Sequence, residues 1–226
     1  MPKPSDWGRN IDVVGFFFLA AAANTTPAAG DTGGSSLAPP YVPDKALADF
    51  LAAGEPPVYF GFGSCKMDER VALHLTKAIV EAVRATGRRA ILQEGWGKLG
   101  HGVELPDCCL RIGNCPHTWL LPRMAAVCHH GGAGTTAAGL IAGRPTMIVP
   151  FTGDQPFWGQ AVYRQGLGPP PCPVKDVTAE TVTEALTNYL FASEVKANVL
   201  AVSAQLAAED GVGAGVDCFH KYLPAL

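Results

Sequence analysis

The stretch that most constrains this chain is AAVCHHGGAGTTAAGLIAGRPTMIVPFTGDQPFWG, residues 125–159. It begins with a short apolar run typical of a buried strand, passes through glycines, and enters an Ala-rich segment of helical character. Glycine lets the backbone turn tightly, and a helix leaves its first amides without partners, so this order favours an anion site. A second buried strand is expected at 146–149, before a loop that carries Asp154, Gln155 and Trp158. We interpret the first half as holding a diphosphate and the second as holding a polyol.

Other interpretations of the glycine-rich loop are possible. A nucleotide-triphosphate P-loop is disfavoured because no Lys follows the glycines. The dinucleotide fingerprint G-x-G-x-x-G/A is met by Gly132, Gly134 and Ala137, and Asp154 stands near the place of a ribose-binding acid. That fingerprint normally lies on the first strand of its domain, whereas strands precede it here. A glycine turn without any ligand is the remaining alternative.

Apolar runs alternate with helical patterns along the chain. Strands are expected at 58–62, 89–93, 109–112, 125–128 and 146–149, and helices at 45–53, 68–85, after the glycine loop, and at 157–165, 178–191, 193–209 and 213–223. Strands that alternate with helices form a parallel sheet through right-handed crossovers. The sequence therefore predicts an α/β fold, a Rossmann-like parallel sheet flanked by helices, whose ligand site lies beyond the carboxyl ends of the strands.

The N-terminal part differs in composition. Residues 24–43 are rich in Ala, Gly, Ser, Thr and Pro, which predicts a flexible linker. The preceding run VVGFFFLAAAA, residues 13–23, is too short for a bilayer, which needs about 20 residues. A signal peptide is the alternative, and the acidic Asp6 and Asp12 upstream disfavour it. We expect a linker segment at 1–55 and a ligand-binding domain at 56–226.

Composition narrows the function classes. The 226 residues are 48% hydrophobic, enough for a sizeable core, and the net charge of −3 without a basic run predicts no nucleic-acid partner. The seven cysteines form no C-x-x-C pair, so we expect reduced thiols in a cytoplasmic protein.

The run HHGGAGTTAAGLIAGRPTMIVPFTGDQPFWG resembles the donor-site motif of UDP-sugar glycosyltransferases, in particular that of the sterol 3-beta-glucosyltransferase group. The similarity extends from PKPSDWG near the start to EDGVGAGV near the end. It implies the C-terminal, donor-binding half of a GT-B enzyme. The implied reaction is hexosyl transfer from UDP-glucose or a related UDP-sugar to a sterol or other lipophilic hydroxyl, by direct displacement of UDP.

The resemblance also implies which residues bind the donor. Ser64 and the run 130–136 match positions that contact the diphosphate, and Asp154 and Gln155 match a pair that holds sugar hydroxyls. Trp158 is either a wall beside the sugar or part of the core. The expected donor-binding set is Ser64, Cys115, His117, His130, Gly132, Ala133, Gly134, Thr135, Thr136, Asp154, Gln155 and Trp158.

Two places depart from the pattern of plant relatives. Asn114 and His117 stand where those carry a uracil-stacking Trp and a following Gln, so we expect backbone groups near Cys115 and His117 to hold uracil. Ala138 stands where they carry a ribose-binding Glu, and an alanine side chain cannot accept a bond from a ribose hydroxyl.

No catalytic residue is expected in this chain. The family's general base lies in an acceptor-binding domain, and none of His74, His101 and His220 stands at a predicted strand end. We therefore expect an acceptor domain or subunit, fused or in trans, with membrane association only through that acceptor. The chain would be a piece of a longer enzyme or one subunit of a split enzyme.

An apolar stripe on the last helix is expected to lie exposed without such a partner, and it consists of Val216, Phe219, Tyr222 and Leu223. The alternatives are a non-catalytic UDP-sugar-binding subunit or sensor and a nicotinamide- or flavin-binding oxidoreductase domain. No cofactor or metal is expected, since His129 and His130 are neighbours on an extended segment and point to opposite faces.

Overall fold

The computed structural model describes Lys3 and residues 5–18 and 41–223, so most of the expected linker at 24–43 lies outside the described residues. The chain divides into two compact units. The sheet unit comprises Pro40–Ala204, and the terminal unit comprises Met1–Pro39 together with Gln205–Leu226. The expected boundary between 55 and 56 stays a prediction.

The sheet unit is built on a parallel sheet in the order β3-β2-β1-β4-β5. Its strands are β1 (Val58–Gly61), β2 (Ala90–Gln93), β3 (Cys109–Ile112), β4 (Ala126–His129) and β5 (Thr146–Ile148). The register sets Gly61 beside Gln93 on one side and beside His129 on the other. The strands therefore end level with one another, and the loops that follow them meet at one edge, as the α/β prediction requires.

Alternate residues of the strands pack into two separate cores. Phe60 lies beside Leu92 and Cys128 in the register, and this row packs in the larger cluster with α2 (Glu69–Thr86) and α6 (Ala179–Glu184). Tyr59 belongs to the smaller cluster, on the opposite face, with α1 (Lys45–Ala52). Because successive side chains of a strand point to opposite faces, helices on both sides bury both rows.

The remaining helices are α3 (His117–Leu120), α4 (Ala133–Ile141), α5 (Gln155–Arg164), α7 (Ser193–Ala207) and α8 (Gly211–Lys221). The starts and ends of α2 and α6 are explicit in the sequence. The Asp68 carboxylate accepts from the Val71 N–H at 2.9 Å, Gly87 ends α2 with a left-handed φ of 63°, and Thr178 and Thr181 form a reciprocal cap at the start of α6.

The helices differ from prediction in several places. Helix α5 begins at Gln155 and not at 157, because Pro156 is tolerated in the first turn, where its missing N–H has no intrahelical acceptor. The helix expected at 178–191 leaves α-geometry for a π-helical turn at Ala185–Tyr189. The four-residue helix α3 was not expected, since one turn is too short to show a period.

In the terminal unit, the segment 5–18 runs without regular secondary structure against α8. The Asp12 carboxylate accepts from the Tyr222 hydroxyl at 2.9 Å, and a Cβ on Gly211 would stand 2.2 Å from the Phe16 carbonyl oxygen. Hydrogen bonds from Tyr222, Cys218 and Lys221 lower the pKa of Asp12. The apolar stripe of α8 is exposed, with half or more of the surface accessible at Val216 (51%), Phe219 (64%), Tyr222 (51%) and Leu223 (50%).

All seven cysteines are free thiols, and Cys109, Cys115 and Cys128 are buried. No helix among the described residues is both long enough and apolar enough to cross a bilayer.

Candidate functional site

The expected site residues all follow the carboxyl ends of parallel strands. Ser64 follows β1, Cys115 and His117 follow β3, the run 130–136 follows β4, and Asp154, Gln155 and Trp158 follow β5. Because the strands end level, these four loops share the same edge of the sheet.

The loop after β4 is held in one conformation by its first glycine. Gly131 has a φ of +91°, which other residues rarely adopt, and a Cβ there would stand 2.6 Å from Ile148 Cγ2. Its N–H donates to Nδ1 of the buried His129 across 3.0 Å. The same hypothetical Cβ would lie 3.1 Å from the Gln155 carbonyl oxygen, so this loop packs directly against the loop after β5.

Helix α4 begins with free amides. Gly132 is its N-cap and offers no side chain, so the N–H groups of Ala133, Gly134 and Thr135 have no intrahelical acceptor. Gly134 is exposed, and a Cβ there would meet nothing within 4 Å. Unpaired amides and the helix dipole favour an anion at this place by roughly 0.3–1 kcal/mol per charge.

The two threonines of α4 differ in what they can bind. Thr136 is 1% exposed, its hydroxyl donates to the Gly132 carbonyl at 3.0 Å, and its N–H bonds to the same oxygen at 2.9 Å. Thr135 is half-buried on the next position of the turn. Thr136 therefore stabilises the start of the helix, and Thr135 is the hydroxyl left for a ligand.

Two adjacent histidines, His129 at the end of β4 and His130 directly after it, lie in different environments. His129 is fully buried, and burial lowers its pKa to about 3. Since Nδ1 accepts from Gly131, the ring proton is on Nε2. His130 is half-buried, and burial lowers its pKa also, with the Asp154 carboxylate acting the other way. In the described part of the chain, His129 Nε2 and His130 Nδ1 are the buried side-chain nitrogens without a hydrogen-bond partner.

Ser64 stands on a turn that is joined to the end of β2. The Cys65 N–H bonds to the Phe62 carbonyl at 3.0 Å, and Gly63 adopts a φ of +56°. The Gly63 carbonyl accepts from the Trp96 N–H at 2.9 Å. A Cβ on Gly63 would be 3.7 Å from the His130 ring, which brings this turn next to the loop after β4. The Ser64 side chain is exposed there.

In the loop after β5, Asp154 is exposed, whereas the side chain of Gln155 is bonded to the backbone of the loop. The Trp158 indole N–H donates to the Asp154 carboxylate at 2.8 Å, which orients that carboxylate from the first turn of α5. The amide oxygen of Gln155 accepts from the N–H groups of Phe151 at 2.7 Å and Thr152 at 3.0 Å. Gln155 therefore fixes the loop through its oxygen, and its NH₂, which also bonds to the Cys65 thiol, is the group left for a ligand.

A buried polar group joins β1, β2 and the start of α3, and sequence reasoning identified only its member His117. The Tyr59 hydroxyl donates to the amide oxygen of Gln93 and lies 3.3 Å from Nε2 of His117, while Gln93 donates to the Gly113 carbonyl at 3.4 Å. Tyr59 and Gln93 are both buried. Gly61 makes room for the tyrosine, since a Cβ there would be 2.1 Å from its hydroxyl. The available signal was a polar Gln at the end of an otherwise apolar strand.

The other residues near the end of β3 do not take part in these hydrogen bonds. Cys115 is buried, which raises its pKa, and it packs in the smaller core. Asn114 is exposed, and Ala138 is half-buried against that same core. Within the described residues, no group of three or more His, Cys, Asp and Glu side chains is arranged to hold a metal ion.

Comparison with known proteins agrees with this geometry. Residues 90–212 match the family described as Erythromycin biosynthesis protein CIII-like, C-terminal domain. The chain is 42% identical over 225 residues to the sterol 3-beta-glucosyltransferase UGT80B1 of Arabidopsis thaliana, covering 99% of this chain and 34% of that protein. It is 44% identical over 225 residues to UGT80A2 of the same plant, covering 100% of this chain and 32% of that one. The chain thus spans about a third of the length of these relatives.

Solved structures share the fold. The calicheamicin glycosyltransferase CalG4 superposes with a TM-score of 0.64 at 19% identity, over 75% of this chain and 42% of that chain. The glycosyltransferase VinC, solved in complex with DTDP, gives a TM-score of 0.60 at 23% identity, over 81% of this chain and 45% of that chain. The predicted resemblance is confirmed: the chain belongs to the EryCIII-like C-terminal domain family of GT-B glycosyltransferases.

Proposed function

We propose that this chain is the donor-binding half of an inverting UDP-sugar hexosyltransferase that transfers glucose from UDP-glucose to a sterol or another lipophilic hydroxyl. The observation that carries the proposal is that four loops lie along one edge of the sheet, and that the loop leading to the free amides of α4 packs against the loop that carries Asp154. The relatives named above are glycosyltransferases, which favours this function over the oxidoreductase alternative.

The diphosphate of the donor binds at the start of α4 in this proposal. The amides of Ala133, Gly134 and Thr135, with the hydroxyls of Thr135 and Ser64, supply donors without a metal. Negative charge grows on UDP as it leaves the anomeric carbon, and donors that are arranged in advance stabilise this charge. Neutral His130 adds one ring N–H, because its lowered pKa keeps the imidazole uncharged near pH 7.

The sugar lies toward α5. Asp154 accepts from two sugar hydroxyls through the oxygen sites that Trp158 leaves open, and the Gln155 NH₂ donates to a third. Bonds to a charged group contribute roughly 1.5–3 kcal/mol each, so this pair distinguishes a nucleotide sugar from the free nucleotide.

The acceptor binds to a separate domain, fused or in trans, that also supplies the general base. Two observations support this. The relatives are about three times as long as the matched region, and the exposed stripe of α8 offers an apolar surface of the kind that marks an interaction site. The sterol is proposed because both Arabidopsis relatives are named for sterol glucosylation.

Ligand binding to the chain tests the donor half. Calorimetric titration with UDP and UDP-glucose is expected to show saturable binding, and both should raise the melting temperature by mass action. NAD and NADP serve as matched controls, since each carries a diphosphate but no uridine. Stabilisation by a nicotinamide cofactor without stabilisation by UDP would refute the proposal.

A further inference from the structure

Tyr59, Gln93 and His117 form a chain of hydrogen bonds directly beneath the loops of the donor site. Tyr59 and Gln93 are 1% and 6% exposed, so water does not compete for these groups. The Tyr59 and His117 rings meet edge to face, with centroids 5.8 Å apart. The group lies between β1, β2 and the start of α3, and no expected donor-binding residue other than His117 belongs to it.

The Gly113 carbonyl fixes the direction of every hydrogen bond in this group. The Gly113 carbonyl can only accept, so the Gln93 NH₂ faces it and the Gln93 oxygen faces Tyr59. That oxygen takes the tyrosine proton. The tyrosine oxygen can then only accept from His117, which requires the proton of the His117 ring to lie on Nε2.

The other ring nitrogen of His117 is consequently an acceptor. No hydrogen bond within the described residues uses Nδ1, and His117 is half-buried, so Nδ1 is left for a ligand at the carboxyl edge of the sheet. Burial lowers the pKa of His117, so the ring is neutral near pH 7 and Nδ1 keeps its lone pair.

We propose that Tyr59 and Gln93 are positioning residues that hold His117 as its Nε2–H tautomer, so that Nδ1 accepts a hydrogen bond from the nucleoside of the donor. The bonding group on the ligand is a ribose hydroxyl or the imide N–H of the base. The assignment of the nucleoside rests on the proposed function, whereas the tautomer does not depend on it.

Nitrogen-15 NMR of the histidine rings in the ligand-free chain tests the tautomer, with the His117 signals identified by their loss in His117→Ala. We expect the Nε2–H form in the wild type. Gln93→Leu removes the acceptor, so the Tyr59 proton is free to turn to Nε2 of His117, and the ring should shift toward the Nδ1–H form. A wild-type ring in the Nδ1–H form, or an unchanged ring in Gln93→Leu, would overturn the inference.

A double-mutant cycle tests whether Tyr59 affects UDP binding through His117. Tyr59→Phe should weaken UDP binding about 3- to 10-fold, the worth of one hydrogen bond, and have no effect on binding in the His117→Ala background. Tyr222→Phe is the matched control: it removes another hydrogen-bonded tyrosine hydroxyl, one bonded to Asp12 in the terminal unit, and should change UDP affinity by less than about 2-fold. Equal loss from Tyr59→Phe in both backgrounds would assign it a structural role only.

Failure of the proposed function and failure of the tautomer assignment can be distinguished. If the wild-type chain does not bind UDP, the proposed function fails, and the ligand-free spectra still decide the tautomer. If UDP binds, comparison with its 2′-deoxy analogue identifies the donor: the cost of His117→Ala should vanish for that analogue if Nδ1 accepts from the 2′-hydroxyl, and persist if it accepts from the base or the 3′-hydroxyl.

Discussion

The N–H of Gly131 donates to Nδ1 of His129 across 3.0 Å, so a fully buried side chain of β4 holds the glycine loop that follows the strand. This bond ties the core to the proposed diphosphate site. The two residues belong to the same motif, yet one faces the interior and the other turns the chain toward α4.

Replacement of His129 tests that bond. His129→Asn keeps a short acceptor near the position of Nδ1, whereas the similarly sized His129→Leu leaves the buried Gly131 N–H unpaired at a cost of about 1–3 kcal/mol. We expect the leucine variant to bind UDP more weakly than the asparagine variant by about 5-fold or more. Calorimetry with UDP measures this, and equal affinity of the two variants would show that the bond does not shape the loop.

The stability of the chain should fall as the pH drops below about 6.5. His129 has its pKa lowered from 6.5 to about 3 by burial, so between these values the unfolded chain binds a proton that the folded chain excludes. Stability therefore rises with pH in this window, by up to about 1.4 kcal/mol per pH unit for one such group. The lowered pKa values of His117 and His130 act in the same direction.

Urea denaturation at pH 7 and pH 5 measures this dependence. His129→Asn should reduce the loss of stability on acidification, while His220→Gln, at an exposed position of α8, should leave it unchanged. A wild-type chain that is as stable at pH 5 as at pH 7 would contradict the prediction.

Substitution by alanine should lower the stability of the chain at Gly131, in the loop after β4, and raise it at Gly134, in the first turn of α4. Gly131→Ala meets a positive φ and a contact of 2.6 Å with Ile148, so we expect a loss of about 2 kcal/mol or more in the free energy of unfolding. Gly134→Ala lies in open space within α4, where alanine gains up to about 1 kcal/mol in helix propensity. Chemical denaturation compares the two, and a Gly134→Ala variant destabilised as strongly as Gly131→Ala would contradict the described loop.

The two halves of the site should separate by ligand. Thr135→Val removes a hydroxyl at the proposed diphosphate position and should weaken UDP and UDP-glucose alike. Asp154→Asn removes the charge that is proposed to face the sugar and should weaken UDP-glucose about tenfold or more while leaving UDP nearly unchanged. Titration of each variant with both ligands decides this, and equal losses for both ligands in Asp154→Asn would place that carboxylate elsewhere.

The chain by itself should bind the donor without transferring it. Incubation with UDP-glucose and a sterol is expected to give little or no glucoside, because the proposed base and acceptor pocket lie in another domain. Activity should appear once an acceptor domain is supplied, fused or in trans. Robust sterol glucosylation by the 226-residue chain alone would show that a catalytic base is present here.

The sequence by itself determined the sheet and its ligand edge. Every expected strand is present, and β3 occupies the predicted residues Cys109–Ile112. Strands buried on both faces, such as β1 and β2, read as short apolar runs between turn signals. The parallel order then required the loops after β1, β3, β4 and β5 to lie along the same edge of the sheet. The glycine motif located the amides of α4 for the same reason, since caps and turns are encoded locally.

Only the tertiary structure decided which polar atoms remain for a ligand. Thr135 and Thr136 are neighbours in sequence, yet the hydroxyl of Thr136 is used inside the helix. Gln155 was expected to hold sugar hydroxyls, but its oxygen accepts from the backbone N–H groups of Phe151 and Thr152. The bonds among Tyr59, Gln93 and His117 join three segments that are distant in the chain. The spacing of hydrophobic residues shows which face of a single helix or strand is buried. Hydrogen-bond partners instead depend on which atoms of different elements come within about 3 Å of one another.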